Sequence, residues 1–320
     1  MRLKVLYLIV LISGCVMGAG FVSGSELWLF FGRYGWFALP LLLLFVCVFG
    51  SGVYKVMSLK DKYQISSIEA LSVLLMPKIG RYIDYVLKFS YLVFASAMLA
   101  GIRTVASEWV CMGVLVVSFV IVFLNKKTLM RLNLFLVPIV IGFVISLLVF
   151  NQNNIEITNL IKPTSSVFYA IIGVIFYATV NLLLCFGALL RSYNSLTKKA
   201  TFLVALLSSV ILCVLAVVVL VLICSTDFNL LDLPLSGVAS KSGAIFGVLG
   251  DLVIVASIFT TFIACVFGVH TDKTSTTRLI CLFCLIYALS LVGFYHILEI
   301  GYFAIGVFSF VYFVALMRKT

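Results

Sequence analysis

Apolar residues run through this chain in long blocks separated by mostly short polar connections. A helix that spans hydrocarbon needs ~20 mainly apolar residues. Ten segments approach or exceed that length: 3–34 with an interruption, 35–57, 82–107, 109–125, 132–150, 166–190, 200–224, 243–268, 278–294 and 296–317. The pattern predicts an all-α polytopic membrane protein with ten transmembrane helices. Ten spans leave no room for a soluble domain, so residues 1–320 form a single transmembrane unit. Two connections are longer, "NQNNIEITNLIKPTSS" after the fifth span and "STDFNLLDLPLSGVASKSG" after the seventh, and such loops in compact proteins often act as lids. The segment "LKDKYQISSIEALSVLLMPKIG" between spans two and three reads either as a short surface helix or as a solvated connector.

The first block breaks the pattern. Within "LISGCVMGAGFVSG", Gly14, Gly18, Gly20 and Gly24 interrupt an otherwise spanning helix, and Ser23, Ser25 and Glu26 follow as a start for a second half-helix. Ser suits a helix cap, and Glu26 suits the positive end of the new helix's dipole. Unwound backbone survives at membrane depth only where protein buries it or where it lines a wet cavity. Half-helix, linker, half-helix is therefore the geometry of a binding site. Two other uses compete with it. Glycines let membrane helices pack closely, and "ISGC" resembles a lipoprotein cleavage box with Cys15 as the lipidated residue. The residues after Cys15 continue apolar instead of forming the polar tether expected of a lipoprotein.

Composition agrees with the block pattern: 64% of residues are hydrophobic and 10% charged, and mean hydropathy is +1.29. Soluble domains carry about a quarter charged residues. The net charge of +11 would raise the question of nucleic acid in a soluble protein, but the bases sit in short loops between apolar runs. That distribution orients a membrane protein, and no nucleic-acid partner is expected. With the N-terminus in the cytoplasm, only Arg33, Lys162 and Lys241 of the 22 Lys and Arg fall outside, and Lys88 and Arg103 lie within spans. Both termini are then cytoplasmic, in a multi-pass protein of the cell membrane whose surroundings are membrane lipids. The nine Cys fall almost wholly inside apolar runs and imply no disulfide framework. Cys281 and Cys284 lack a second pair or a nearby His, so packing explains them better than a metal.

Polar residues at membrane depth need partners. Span six carries Tyr177, Thr179 and Asn181, with Gly187 beyond. Span eight carries Ser257, Thr260 and Thr261 at i, i+3 and i+4 on one face. Three hydroxyls converging with exposed first-span carbonyls suit Na⁺; the alternative is that each hydroxyl bonds its own helix. Asp84 and Lys88 form a favourable i, i+4 pair. Arg103 and Asp251 are expected to pair across spans three and eight. Arg33 and Glu299 could form an outer gate, although a solvated Glu299 is the plainer reading. "GVLGD" at 247–251 misses the spacing of an intramembrane aspartyl protease, and His270 and His296 sit at opposite edges. No nucleophile, base or metal constellation forms, so no enzyme is expected.

The string "GAGFVSGSELWLFFGRYG", the ten-span layout and "IFTTFIACVFGV" resemble the YkvI-like bacterial membrane proteins, related to the amino acid/polyamine/organocation superfamily. The resemblance covers the whole chain. It implies a LeuT-type fold: two inverted five-helix repeats, about 1–150 and 166–320, with helices one and six broken around a central site. The two halves show no convincing similarity to each other, and "NLLLCFGAL" in span six has no obvious glycine pair for a break. The glycine spacing of sodium-coupled relatives is matched by Gly14, Gly18 and Gly20. The resemblance then implies a Na⁺ site built from the carbonyls of Gly14 and Met17 and from Ser257, Thr260 and Thr261. It places substrate against Gly18, Ala19, Gly20, Phe21, Ser23, Gly24 and Glu26, with Tyr177 and Asn181 opposite. Some proton-coupled relatives put a Lys of helix five in the cation position; span five here has only Arg131, at its edge, which favours Na⁺ or no coupling.

The expected function is secondary active transport of a small solute by alternating access, as symport with Na⁺ and with no other cofactor. Half-helix N-termini favour a carboxylate, so an amino acid or similar zwitterion or amine is the default substrate. A second class is open: a ligand sensor that does not transport, like distant relatives in spore-germination receptors, which would need a signalling protein partner.

Overall fold

The computed structural model describes residues 2–123, 127–155, 167–192, 196–225, 233–269 and 275–319, and among them every regular element is helical. The first apolar block is in three pieces, α1 (Arg2–Val16), α2 (Ala19–Ser23) and α3 (Ser25–Phe30). There follow α4 (Ala38–Tyr63), α5 (Ile68–Leu75), α6 (Gly80–Val105), α7 (Glu108–Phe123) and α8 (Lys127–Asn151). The second half holds α9 (Val167–Ser192), α10 (Lys198–Cys224), α11 (Pro234–Lys241), α12 (Ala244–Val269), α13 (Thr276–Ser290) and α14 (Phe294–Arg318).

Each of the ten apolar segments is helical, but they differ in reach. Six described helices are long and apolar enough to cross a membrane: Gly32–Tyr63, Gly80–Val105, Arg131–Asn151, Phe168–Arg191, Lys198–Cys224 and Ala244–Val269. The other apolar helices are shorter: Leu3–Val16, Glu108–Val122, Thr276–Ser290 and Phe303–Arg318. The chain is a multi-pass membrane protein. Large apolar side chains such as Phe135, Phe168, Val214 and Leu252 face outward, as a lipid-facing surface requires.

Helix ends follow local chemistry. Ser67, Thr197 and Ser275 each accept a hydrogen bond from a backbone N–H in the first turn of the helix they precede. Thus "SSIEALSVLL" is a short helix, α5, which buries Ile68, Leu71 and Ser72 and packs on α6. Of the two longer connections, 156–166 and 226–232 lie outside the described residues; the remainder of the second forms α11, which rests on α12, α10 and α2.

α1 stands at the centre, packed against α8, α9, α10 and α12, and Leu11, Ile12 and Cys15 are fully buried. Cys15 is thus an interior residue whose neighbours Leu8 to Ile12 belong to the core. α6 runs alongside, against α12, α13 and α14. Where α6, α9 and α12 meet, Gly187 approaches the backbone of Gly268 and Gly268 lies against the Tyr91 ring, whose hydroxyl donates to the Leu183 carbonyl at 2.6 Å. Gly187 therefore serves close helix packing.

Two expectations are corrected. Helix six is not broken: α9 is continuous from Val167 to Ser192, because its two glycines, Gly173 and Gly187, lie turns apart and form no pair that would open the ladder. Arg103 does not pair with Asp251. Its guanidinium grips Glu108 with two bonds of 2.8 and 2.9 Å and donates to Ser290, while Asp251 accepts from Ser236 of α11 at 2.6 Å. A carboxylate five residues away, just across the α6–α7 turn, orders less chain than one in the second half of the sequence. The Asp84–Lys88 pair forms as expected. Arg33 donates to the Tyr34 hydroxyl at 2.8 Å, and the side chain of Glu299 and the whole of His270 lie outside the described residues.

Candidate functional site

The interruption begins where α1 ends. In a continuing helix the Gly14 and Cys15 carbonyls would accept from the N–H groups of Gly18 and Ala19. Instead the Gly18 N–H turns back to the Val16 carbonyl at 2.7 Å, and the Ala19 N–H donates to the Met98 sulfur of α6 at 3.4 Å. Gly14 is left with a carbonyl free for another partner. That partner is α12: the Thr261 hydroxyl donates to the Gly14 oxygen at 3.2 Å and the Thr260 hydroxyl at 3.4 Å. Gly18 lies against Thr261, so that a Cβ there would sit 3.2 Å from Oγ1.

This junction brings together four of the residues singled out in the sequence, Gly14, Gly18, Thr260 and Thr261. Ser257, one turn back along α12, spends its hydroxyl on the Ile254 carbonyl at 2.8 Å. Met17 is buried at the turn with its N–H on the Ser13 carbonyl. Thr260 has one hydroxyl proton, shared between the nearer Ser257 carbonyl of its own helix at 2.9 Å and the Gly14 carbonyl at 3.4 Å. Oxygens of one carbonyl and two hydroxyls are hard, neutral donors, a set whose chemistry fits Na⁺.

A second discontinuity follows at Gly24, which adopts φ 89° and ψ −7°, the left-handed conformation that separates α2 from α3. Gly24 takes the N-cap position of α3; Ser23 Oγ lies 3.1 Å from Ser25 Oγ, accepts from the Ser25 N–H at 3.4 Å and donates to the Gly20 carbonyl at 3.4 Å. Glu26 does occupy the first turn of α3, only 3% exposed, and folds back onto Gly20, where any Cβ would overlap its carboxylate. Tyr177 of α9 faces it. Around them Phe30 stacks on Tyr177 at 4.7 Å, Phe31 meets it edge-on at 5.6 Å and Phe45 lies at 5.7 Å. Ala19, Phe21, Ser23 and Gly24 are buried throughout. Asn181 is turned to its own helix, its amide donating to the Tyr177 carbonyl at 2.9 Å, and Thr179 is spent on Ser309.

No family model matches the chain. The chain is 24% identical over 276 residues to a protein named "Uncharacterized membrane protein YkvI" from Bacillus subtilis (strain 168), a match that spans 82% of this chain and 79% of that one. This similarity supports a YkvI-like membrane protein.

Several contributors escaped the sequence reading. Met98 supplies the acceptor for the Ala19 N–H, and Phe30, Phe31 and Phe45 build the aromatic wall; in an apolar chain such residues carry no signal of their own. Asn133 lies against Gly14. It had a signal, as an amide inside an apolar run, but the charge of nearby Arg131 is the more conspicuous feature of that span.

Proposed function

We propose that the protein is a secondary transporter that carries a small solute by alternating access, in a LeuT-type arrangement of ten spans and two repeats, with Na⁺ as coupling ion. One observation carries the reading. The first apolar block is interrupted at the centre of the bundle, and the carbonyl freed there is taken by two hydroxyls of a helix some 250 positions on. Building a break into a buried helix leaves backbone groups to be satisfied, and binding uses them. In this reading the oxygens of Gly14, Thr260 and Thr261 hold the ion. Because residues 18–24 are enclosed on every side, a solute enters only when helices part, as alternating access requires.

Glu26, Tyr177 and the aromatic wall favour a solute with an ammonium group, an amino acid or amine, since a buried carboxylate and aromatic faces both attract cations. α2, with five residues, is too short to provide a dipole for a carboxylate of its own. The continuous α9 departs from the expected broken helix six, so the proposal rests on the first block.

Reconstituted in vesicles with an outward-facing Na⁺ excess, the protein should accumulate a labelled amino acid or amine and exchange it in counterflow. Thr261→Ala should remove the Na⁺ dependence. Uptake indifferent to Na⁺ and to this substitution would overturn the coupling, and binding without counterflow would overturn carriage itself.

A further inference from the structure

Asn133 stands in the second turn of α8, a helix that packs on both α1 and α12. Its side chain is fully buried, and neither its amide oxygen nor its amide nitrogen has a hydrogen-bond partner. A carboxamide in this condition is worse for stability than an apolar residue of the same size, because its hydration is lost and nothing replaces it. Its position is specific. The amide is pressed against Gly14, so closely that a Cβ at residue 14 would sit 2.6 Å from both Nδ2 and Oδ1. Gly14 is the residue whose carbonyl takes the hydroxyls of Thr260 and Thr261. The buried hydroxyl of Ser13, next in the chain, is likewise without a partner.

Unsatisfied polar atoms of α8 and α1 therefore lie at Gly14 and beside it in the chain, where the first helix opens toward α12. An amide oxygen is a hard donor of the kind that carbonyl-type cation sites use. We propose that Asn133 is the α8 ligand of a monovalent-cation site, its Oδ1 completing with the Gly14 carbonyl and the Thr260 and Thr261 hydroxyls an all-neutral oxygen set. The inference rests on the cation reading above and extends it to a third helix. Four neutral oxygens compensate a single positive charge; a divalent ion is held by carboxylates, and none belongs to this set. Bound there, the ion ties α8 and α12 to the break in α1, so that its arrival and departure change how three helices are held together.

The test measures the Na⁺ concentration that half-saturates thermal stabilisation of the purified full-length protein, with choline holding ionic strength constant. Wild type, Thr261→Ala, Asn133→Leu and Asn133→Asp are compared. Asn133→Leu should raise the half-saturating concentration about tenfold or more, as loss of a site partner does. Asn133→Asp keeps the shape and adds charge, so it should lower that concentration and make it rise on acidification. Opposite shifts from the two substitutions distinguish an ion ligand from an amide that holds only a buried water, and the Asp variant remains informative if the Leu variant does not fold. A wild type indifferent to Na⁺ overturns the coupling reading and this assignment together. A wild type that responds, weakened by Thr261→Ala but with both Asn133 variants unchanged, overturns the role of Asn133 alone.

Discussion

At Gly20 the backbone touches the Glu26 carboxylate, and the missing side chain is what lets α3 fold back over α2. Gly20→Ala should therefore cost about 1–3 kcal/mol by overpacking. Gly24→Ala should cost roughly 1–2 kcal/mol for a different reason, the left-handed backbone at φ 89°. Gly113 provides the contrast. It lies on an exposed face of α7, where a methyl group added at its Cα would meet nothing within 4 Å, so Gly113→Ala should be neutral or stabilise by up to about 1 kcal/mol. Chemical or thermal unfolding in detergent orders the three; equal effects at Gly20 and Gly113 would remove the packing argument. The sequence pointed to Gly20 and Glu26 as separate residues of one motif. It did not say that they touch, since that contact depends on the turn angle set at Gly24.

Among the elements, the joint between α6 and α7 is held by one guanidinium. Arg103 takes Glu108 in a forked pair, donates to Ser290 of α13 and lies 4.8 Å from the Tyr287 ring, while the Tyr287 hydroxyl donates to Glu108 at 2.9 Å. Three helices thus share one charge cluster. Arg103→Lys keeps the charge and loses the fork, so it should lower the unfolding midpoint nearly as far as Arg103→Ala. The Arg103–Glu108 coupling in a double-mutant cycle should shrink in high salt, because Glu108 is exposed. A coupling unaffected by salt would mean that packing on Tyr287, and not charge, joins these helices. The element level is where reading from sequence succeeded for helix existence and for the local Asp84–Lys88 pair, and failed for the pairing of Arg103 between helices. Apolar runs announce helices, whereas the partner of an isolated Arg depends on which residue of a neighbouring helix folds within reach.

For the whole molecule, Lys60, Lys88 and Arg191 meet at one end of the bundle. Lys60 donates to the Leu190 carbonyl at the last turn of α9, and a cavity of about 40 Å³ there is lined by Glu69, Asp84, Lys88 and Arg191 among others. If this end faces the cytoplasm, as the charge rule predicts, a fluorescent reporter fused after Thr320 should fold and fluoresce. An alkaline phosphatase fused after Ser242, by contrast, should be active. The reverse pattern would invert the molecule, and two fluorescent fusions would change the number of spans.

Length and hydropathy of the blocks alone determined that the chain is helical and crosses a membrane, because hydrocarbon tolerates few other backbones. The glycine cluster marked a place where the first helix could fail, and the structure shows where it does, at the Gly18 turn and at the left-handed Gly24. Tertiary structure decided the rest. Span six carries Tyr177 and Asn181 four residues apart, yet one faces Glu26 and the other bonds its own helix. Thr260 and Thr261 reach the break while Ser257 on the same face does not. Periodicity gives a side chain's direction around its own axis, but the neighbour it meets depends on how helices far apart in the chain are packed. That is why Asn133, a lone amide in an apolar run, acquires its meaning only beside Gly14.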